Sequence, residues 1–186
     1  MSYEVVSNWF EEEFTNLDPL LQKLHLFGGE LSGNVEISYG RGVSGLIGKR
    51  LARKMKLPSQ GNHDLVVSIT HSESGLHWDR KFNNNTTVES LFVPVGNKKN
   101  GFWIETTGPL KMKLTVDIID NGWFWRCLNV SAFGLPIPLC LIPKCKAYKL
   151  IKDEKYIFSV SFSYPFLGHL VSYSGKLNAK YYEYQD

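Results

Sequence analysis

Residues 111 to 130, KMKLTVDIIDNGWFWRCLNV, have the pattern of two β-strands joined by a tight turn. In KMKLTVDI every second residue is apolar, so the apolar side chains share one face of an extended strand. Asp120-Asn121-Gly122 is a strong signal for a two-residue hairpin turn. WFWRCLNV then resumes a strand-like pattern. This part of the chain is therefore predicted to be an antiparallel hairpin.

The same pattern extends over most of the chain. YIFSVSFSY, residues 156 to 164, alternates large apolar residues with serine, and turn signals recur between such runs. About nine strands are expected after residue 62, in addition to one at 30 to 39. Because a meander of this length leaves exposed edges unless it curls or closes, we predict an α+β, mainly β fold. Its body is a strongly curved antiparallel sheet or barrel of about ten strands, with two or three helices in the N-terminal third.

The chain is expected to form a single domain over residues 1–186. Residues 1–29 form N-terminal helices, one of which starts at Asp18-Pro19, with aspartate as N-cap and proline in the first turn. Residues 30–186 form the β-rich body, which contains a basic helix at 43–56. No repeat, linker or low-complexity segment divides the chain.

Composition excludes several classes of protein. The formal net charge is only +3 over 186 residues, and this mild balance does not favour nucleic-acid binding. The three cysteines lack the C-x-x-C spacing of a structural zinc site, so no metal site is predicted, and free thiols favour a cytoplasmic location. No signal peptide or membrane-spanning stretch is recognised, and no cofactor is predicted.

GRGVSG, residues 40 to 45, fits the G-x-G-x-x-G spacing of dinucleotide-binding loops. That motif requires a parallel β-α-β unit and an acidic residue at the end of the next strand, whereas Asp64 stands at the start of one. The glycines are better explained by a tight turn and close packing of a helix on the sheet. Arg41 lies near the helix N-terminus, where an anion could be attracted.

The helix that follows is basic on one side. Its apolar residues, Leu46, Ile47, Leu51 and Met55, are expected to pack beneath the sheet. Contact of an anionic membrane surface with Lys49, Arg50, Arg53 and Lys54 is an alternative that we favour less than a solvated face.

Two strand segments contain arginine among aromatic residues. In WDRKF, residues 78 to 82, alternation places Trp78, Arg80 and Phe82 on one face of a strand. In WFWRCLNV, residues 123 to 130, it places Phe124 and Arg126 on one face. Inward arginines could hold a carboxylate or phosphate while the aromatic rings contact an apolar body. Alternatively, the arginines pair with acids such as Glu105 or Asp117, stack on tryptophan, or face solvent.

An ordered set of motifs resembles a bacterial family of unknown function, the domain of unknown function 4166 family. The set comprises GRG at 40–42, LP at 57–58, WDRKF at 78–82, GPLKMKL at 108–114, FGLPIPLCLIP at 133–143 and SYPFLGHLVSYSGKL at 163–177. Members occur alone or attached to dehydrogenase-like or membrane proteins, which implies an accessory role without an established activity. The resemblance implies that the following residues belong to recurring motifs: Gly40, Arg41, Gly42, Trp78, Arg80, Phe82, Gly108, Pro109, Gly134, Pro136, Pro165, Gly168, Tyr173 and Gly175.

Three functions are compatible with these patterns. The favoured one is a binding module that holds an amphipathic or acidic small molecule in a cavity. Its expected ligand-binding residues are Arg80, Arg126, Trp78, Phe82, Phe124 and Arg41. The second is a structural or protein-interaction domain without a small ligand. The third is an enzyme of unknown reaction class, for which His71, Asp79 and Asp117 are weak candidates, and no catalytic residue is assigned.

Overall fold

The computed structural model describes residues 4–83, 86–107 and 110–182. Three α-helices lie in the N-terminal third, as predicted: α1 (Val5–Phe10), α2 (Pro19–Phe27) and α3 (Gly42–Lys54). A 3-10 helix at Glu11–Asn16 joins α1 to α2. Within the described ranges, no helix is both long and apolar enough to cross a membrane.

Eleven strands make up the rest of the fold. Their bounds are β1 (Gly29–Tyr39), β2 (Gly61–Ser72), β3 (Gly75–Phe82), β4 (Thr86–Val95), β5 (Phe102–Thr107), β6 (Leu110–Ile119), β7 (Gly122–Ala132), β8 (Leu135–Ile137), β9 (Lys144–Lys152), β10 (Lys155–Tyr164) and β11 (Gly168–Tyr181). The turn between β6 and β7 has positive φ at both Asp120 and Asn121. This is the geometry that the two central residues of a type I′ hairpin turn require.

The sheet closes into an antiparallel barrel. In the strand order β6-β5-β4-β3-β2-β1-β11-β10-β9-β7, every neighbour is antiparallel, and β6 also pairs with β7, which completes a ring of ten strands. The short β8 pairs only with β7 and lies outside the ring. The predicted α+β, mainly β fold with a barrel of about ten strands is therefore confirmed.

The N-terminal helices close one end of this barrel. The backbone N–H of Lys98, in the β4–β5 loop, donates to the carbonyl oxygen of Trp9 at 2.6 Å, and that of Asp18 donates to Asn121 in the β6–β7 turn at 2.9 Å. Asp18 also caps α2, because its side chain accepts the N–H of Leu20 at 2.8 Å. Leu21, Leu24 and His25 of α2 are buried against the barrel. The helices thus bring His25 to the closed end of the interior.

Helix α3 packs against β11 through small residues. Its buried positions are Ser44, Gly45, Gly48 and Ala52, whereas Leu46 is 68% exposed and Ile47 is also exposed. The expectation that the sheet covers the whole apolar stripe is therefore wrong for these two residues. The reason is distance: a side chain at position 48 would collide with the backbone oxygen of Leu170, so only small residues fit between helix and strand.

The same contacts explain the glycines of the GRGVSG segment. A Cβ at Gly40 would meet the backbone of His169, and one at Gly45 would meet the backbone of Gly40. The strands on either side of α3, β1 and β2, are antiparallel neighbours, so the parallel unit of a dinucleotide-binding fold is not formed. Gly40 and Gly45 serve the close packing predicted for the glycines, whereas Gly42 has no close neighbour and adopts a positive φ at the turn into α3.

Candidate functional site

A cavity of about 80 Å³ lies inside the barrel. Its walls are mostly apolar and aromatic, with contributions from Leu31, Leu65, Val67, Trp78, Phe92, Trp125, Phe158 and Leu177. Five residues with polar side chains also contribute to the lining: Arg80, Tyr148, Lys149, Tyr156 and Tyr173. An apolar pocket with a few convergent polar groups is the usual form of a small-molecule site.

Lys149 on β9 is the most unusual of these residues, because its side chain is buried. It is 5% exposed, and its Nζ lies 2.6 Å from Nε2 of His25. Nζ also lies 4.2 Å from the ring centre of Trp78 and 4.0 Å from that of Trp123. Over the described part of the chain, no carboxylate forms a salt bridge with it. Burial, with the charge of Arg80, holds the pKa of Lys149 well below its ordinary value.

His25 is arranged to accept a hydrogen bond from Lys149. Its Nδ1 lies 2.7 Å from the carbonyl oxygen of Leu21. Because a carbonyl only accepts, Nδ1 carries the proton, and a neutral His25 presents an unprotonated Nε2 to the amine. Burial, together with Lys149, lowers the pKa of His25 well below its usual range, which favours this neutral form. The ring is held in place by stacking on Trp123, with centres 4.5 Å apart.

Arg80 on β3 occupies another part of the cavity wall. Its Nη1 donates to Oγ of Ser90 at 3.1 Å, and Ser90 is hydrogen-bonded to Glu105. Burial raises the pKa of Glu105, while Arg80 and Ser90 partly offset that effect. In the described residues no ion pair within 4.0 Å joins Arg80 to an acid. The guanidinium is therefore held by a neutral hydroxyl rather than neutralised by a direct carboxylate contact.

The six predicted ligand residues do not all meet at this cavity. Trp78 and Arg80 line it, and Phe82 is buried on the same face of β3 in the adjoining core. Arg41 is exposed at the start of α3, outside the barrel. The ligand-binding roles of these residues remain predictions.

Phe124 and Arg126 lie on the outer face of β7, so the expectation that Arg126 enters a cavity is wrong. Two donor atoms of its guanidinium, Nε and Nη2, bind the carboxylate of Asp117 at 2.8 and 3.0 Å on the barrel surface. Phe124 stacks on Tyr148, with ring centres 5.2 Å apart. The inward positions belong to Trp123 and Trp125, because these two larger rings fill the interior. Among the acids that the sequence suggests as partners for the arginines, Asp117 is the one that pairs with Arg126 in the structure.

Sequence reasoning missed Lys149, His25 and Trp125. A signal for Lys149 was present: in KCKAYKLIK it shares a face with Ala147 and Ile151, at two residues before and two after. A lysine at the centre of an apolar face is a candidate for an inward charge. No such signal existed for the pairing of His25 with Lys149, since it depends on how α2 docks onto the barrel.

Replacing Lys149 with methionine is expected to flatten the pH dependence of stability. Because folding lowers the pKa of Lys149, the unfolded chain binds more protons below the ordinary lysine pKa, and wild-type stability rises with pH in that range. In the pH range between the lowered pKa of Lys149 and the ordinary lysine pKa of about 10.4, this contributes up to about 1.4 kcal/mol per pH unit, which the Lys149→Met variant loses. Urea unfolding at several pH values measures the difference.

Lys152→Met is the matched control, because Lys152 is an exposed lysine on the same strand. Its pH profile should run parallel to that of the wild type. Parallel profiles for wild type and Lys149→Met would instead show that Lys149 keeps an ordinary pKa in the folded protein.

The family assignment follows from comparison with known proteins. No curated protein matches the chain. Residues 17–177 match the family described as a domain of unknown function (DUF4166). Gly108 and Pro109, which the resemblance assigned to recurring motifs, lie outside the described ranges. Because this match covers most of the chain, from α2 to β11, the protein belongs to the DUF4166 family.

Proposed function

We propose that this barrel is a binding module for a small amphipathic acid, held in the interior cavity with its acidic group at Arg80. The observation that carries the proposal is the imbalance of ionisable groups around that cavity. Among the described side chains, the interior holds two basic groups, Arg80 and Lys149, and one carboxyl group, Glu105. An enclosed cavity with an excess of basic groups favours an anionic ligand.

The electrostatic argument rests on the cost of burying charge. A buried cation is costly unless an anion or several hydrogen-bond acceptors compensate it. The guanidinium of Arg80 has a hydroxyl, that of Ser90, as its hydrogen-bond partner. A ligand carboxylate would supply the missing charge and accept two parallel hydrogen bonds from the guanidinium.

The size and walls of the cavity restrict the ligand. Its volume of about 80 Å³ corresponds to between two and three water molecules at liquid density. A short-chain carboxylic acid fits this space without rearrangement of the walls. Trp78, Trp125 and Phe92 would contact its hydrocarbon part. We therefore place short-chain carboxylates, rather than long lipids, first among the candidate ligands.

Replacing Arg80 with leucine is expected to weaken carboxylate binding at least about tenfold. Hydrogen bonds to a charged group contribute about 1.5–3 kcal/mol, which corresponds to a factor of about 10–100 in Kd. Calorimetric titration with acetate, propionate, butyrate and hexanoate measures this. Arg126→Leu is the matched control: it removes the same charge from the outer surface and should leave Kd unchanged. Equal losses in both variants, or no binding by the wild type, would contradict the proposal.

A structural or interaction role is the second candidate, and exposed apolar side chains at the other end of the barrel favour it. The side chain of Phe166 in the β10–β11 turn is fully exposed. The side chains of Phe133 and Leu141, in the β7–β9 connection, are mostly exposed. Tyr164 joins the two segments by donating its hydroxyl to the carbonyl oxygen of Cys140 at 3.2 Å. Exposed apolar patches commonly mark contact surfaces. If no carboxylate binds and the native mass exceeds one chain, this role is favoured.

A further inference from the structure

The amine of Lys149 has the surroundings of a nucleophile rather than of a structural cation. It opens into a cavity, and among the described residues no carboxylate holds its proton. We infer that Lys149 is a Schiff-base site for small oxo-acids, with the carbonyl carbon bound to Nζ and the carboxylate at Arg80. This goes beyond simple acid binding, and it rests on the proposed function only for the role of Arg80.

Geometry places both functional groups on one cavity. Lys149 on β9 and Arg80 on β3 both line this cavity. The charge of Arg80 is close enough to lower the pKa of Lys149. An oxo-acid carries a carboxylate and an electrophilic carbon only one or a few bonds apart, so its dimensions suit a cavity of about 80 Å³. A plain carboxylate would use Arg80 alone and leave the amine without a reaction partner.

The protonation state favours attack by Lys149. A primary amine is nucleophilic only when neutral, and ordinary surface lysines are almost fully protonated near pH 7. Burial and Arg80 lower the pKa of Lys149, although the nearby rings of Trp78 and Trp123 stabilise the ammonium and so limit the shift. His25 on α2 faces the amine and is itself kept neutral, because burial and Lys149 lower its pKa, and His71 on β2 also contributes to lowering the pKa of His25.

The reaction balances without any oxidant, reductant or metal. The Nζ lone pair forms a bond to the carbonyl carbon, the carbonyl π pair moves to oxygen, and the nitrogen loses a proton as the oxygen gains one. The carbon–oxygen bond of this carbinolamine then breaks, a second proton leaves nitrogen, and the C=N bond forms with release of one water molecule. Nε2 of His25, 2.6 Å from Nζ, is placed to accept these protons and return them to the leaving oxygen.

Reductive trapping tests the inference directly. The folded wild-type protein is incubated with glyoxylate and sodium cyanoborohydride near pH 7, and modified lysines are located by peptide mass spectrometry. We expect Lys149 to be modified at least about tenfold faster than Lys146 and Lys152, two exposed lysines of the same strand. In urea the three lysines should react at similar rates, which attributes the selectivity to the fold. Absence of preferential labelling in the folded protein would overturn the inference.

Two further arms separate the amine from the carboxylate anchor. Propanal, which has no carboxylate, reports how far the loss of Arg80 changes the reactivity of the amine itself, because Arg80 also lowers the pKa of Lys149. In Arg80→Leu, glyoxylate labelling should therefore fall at least about tenfold more than propanal labelling does. Equal glyoxylate labelling in both proteins would overturn the assignment of oxo-acids. Failure of carboxylates to bind in calorimetry, with propanal still trapped at Lys149, would refute the proposed function but retain the nucleophile.

Discussion

Replacing Trp123 with alanine is expected to lower the free energy of unfolding by about 3–5 kcal/mol, the range for truncating a large buried aromatic residue. The indole of Trp123 is fully buried, and it touches three parts of the fold at once. Its ring centre lies 4.9 Å from that of Phe10 in α1, 4.5 Å from that of His25 in α2 and 5.1 Å from that of Trp125 in the barrel wall. Removing the indole leaves a void between the helices and the barrel wall. The helices and strands can fill this void only by shifting towards each other. Denaturant unfolding followed by circular dichroism measures the loss.

Phe124→Ala is the control for this prediction. It changes the neighbouring residue, whose ring stacks on Tyr148 at the outer surface. Its truncation should cost no more than about 1.5 kcal/mol, the upper value for an aromatic pair at a partly exposed site. The opposite ranking, with Phe124 the more costly of the two, would mean that β7 presents its other face to the interior.

Replacing Gly48 with alanine is expected to destabilise the protein by about 2–3 kcal/mol, within the range for inserting a group into a tightly packed contact. The sign is informative, because alanine in place of glycine inside an exposed helix normally adds about 1 kcal/mol of stability. Here the new methyl group would collide with the backbone oxygen of Leu170 in β11. The helix must then move away from the strand, and the contact made by Ala52 one turn later weakens with it. Thermal or urea unfolding of purified Gly48→Ala tests this.

Lys49→Ala shows whether the effect belongs to the packed face. Lys49 is the next residue of α3 and is exposed, so the substitution should change stability by less than about 0.5 kcal/mol. A neutral or stabilising Gly48→Ala would contradict the close contact between α3 and β11.

The barrel itself could be predicted from sequence because its evidence is local. Alternation in KMKLTVDI, the turn at Asp120 and Asn121, and the aspartate–proline start of α2 each act within a few residues. Such signals fix strands, turns and helix starts without knowledge of the tertiary structure. The antiparallel order then follows from hairpin connections, and closure from the instability of open edges.

The candidate site was harder to predict because its residues meet only in three dimensions. In WFWRC three aromatic residues are consecutive, so alternation does not say whether Trp123 and Trp125 or Phe124 and Arg126 point inward. A register shift beside Leu114, where β6 pairs with β7, further disrupts the simple two-residue period.

Lys149 posed a different difficulty. It lies among other lysines that remain exposed on β9, and only the closed ring and the docked α2 bury it. The packing face of α3 was misjudged for a related reason. Large apolar residues usually mark the buried side of a helix, but at very short helix–strand distances glycine and serine take that side instead.

The closure of the ring through β1 and β11 has a consequence for how the protein folds. Gly29 at the start of β1 is paired with Tyr181 at the end of β11, so the first strand completes its hydrogen bonding with the last. In the sheet, β11 lies between β1 and β10. While the chain is being synthesised, β1 and β10 therefore each keep one unpaired edge until β11 emerges from the ribosome. Pairings that span so much of the sequence slow folding and leave edges available for aggregation. The barrel is therefore expected to close only once β11 has been synthesised, and until then the sheet keeps two open edges.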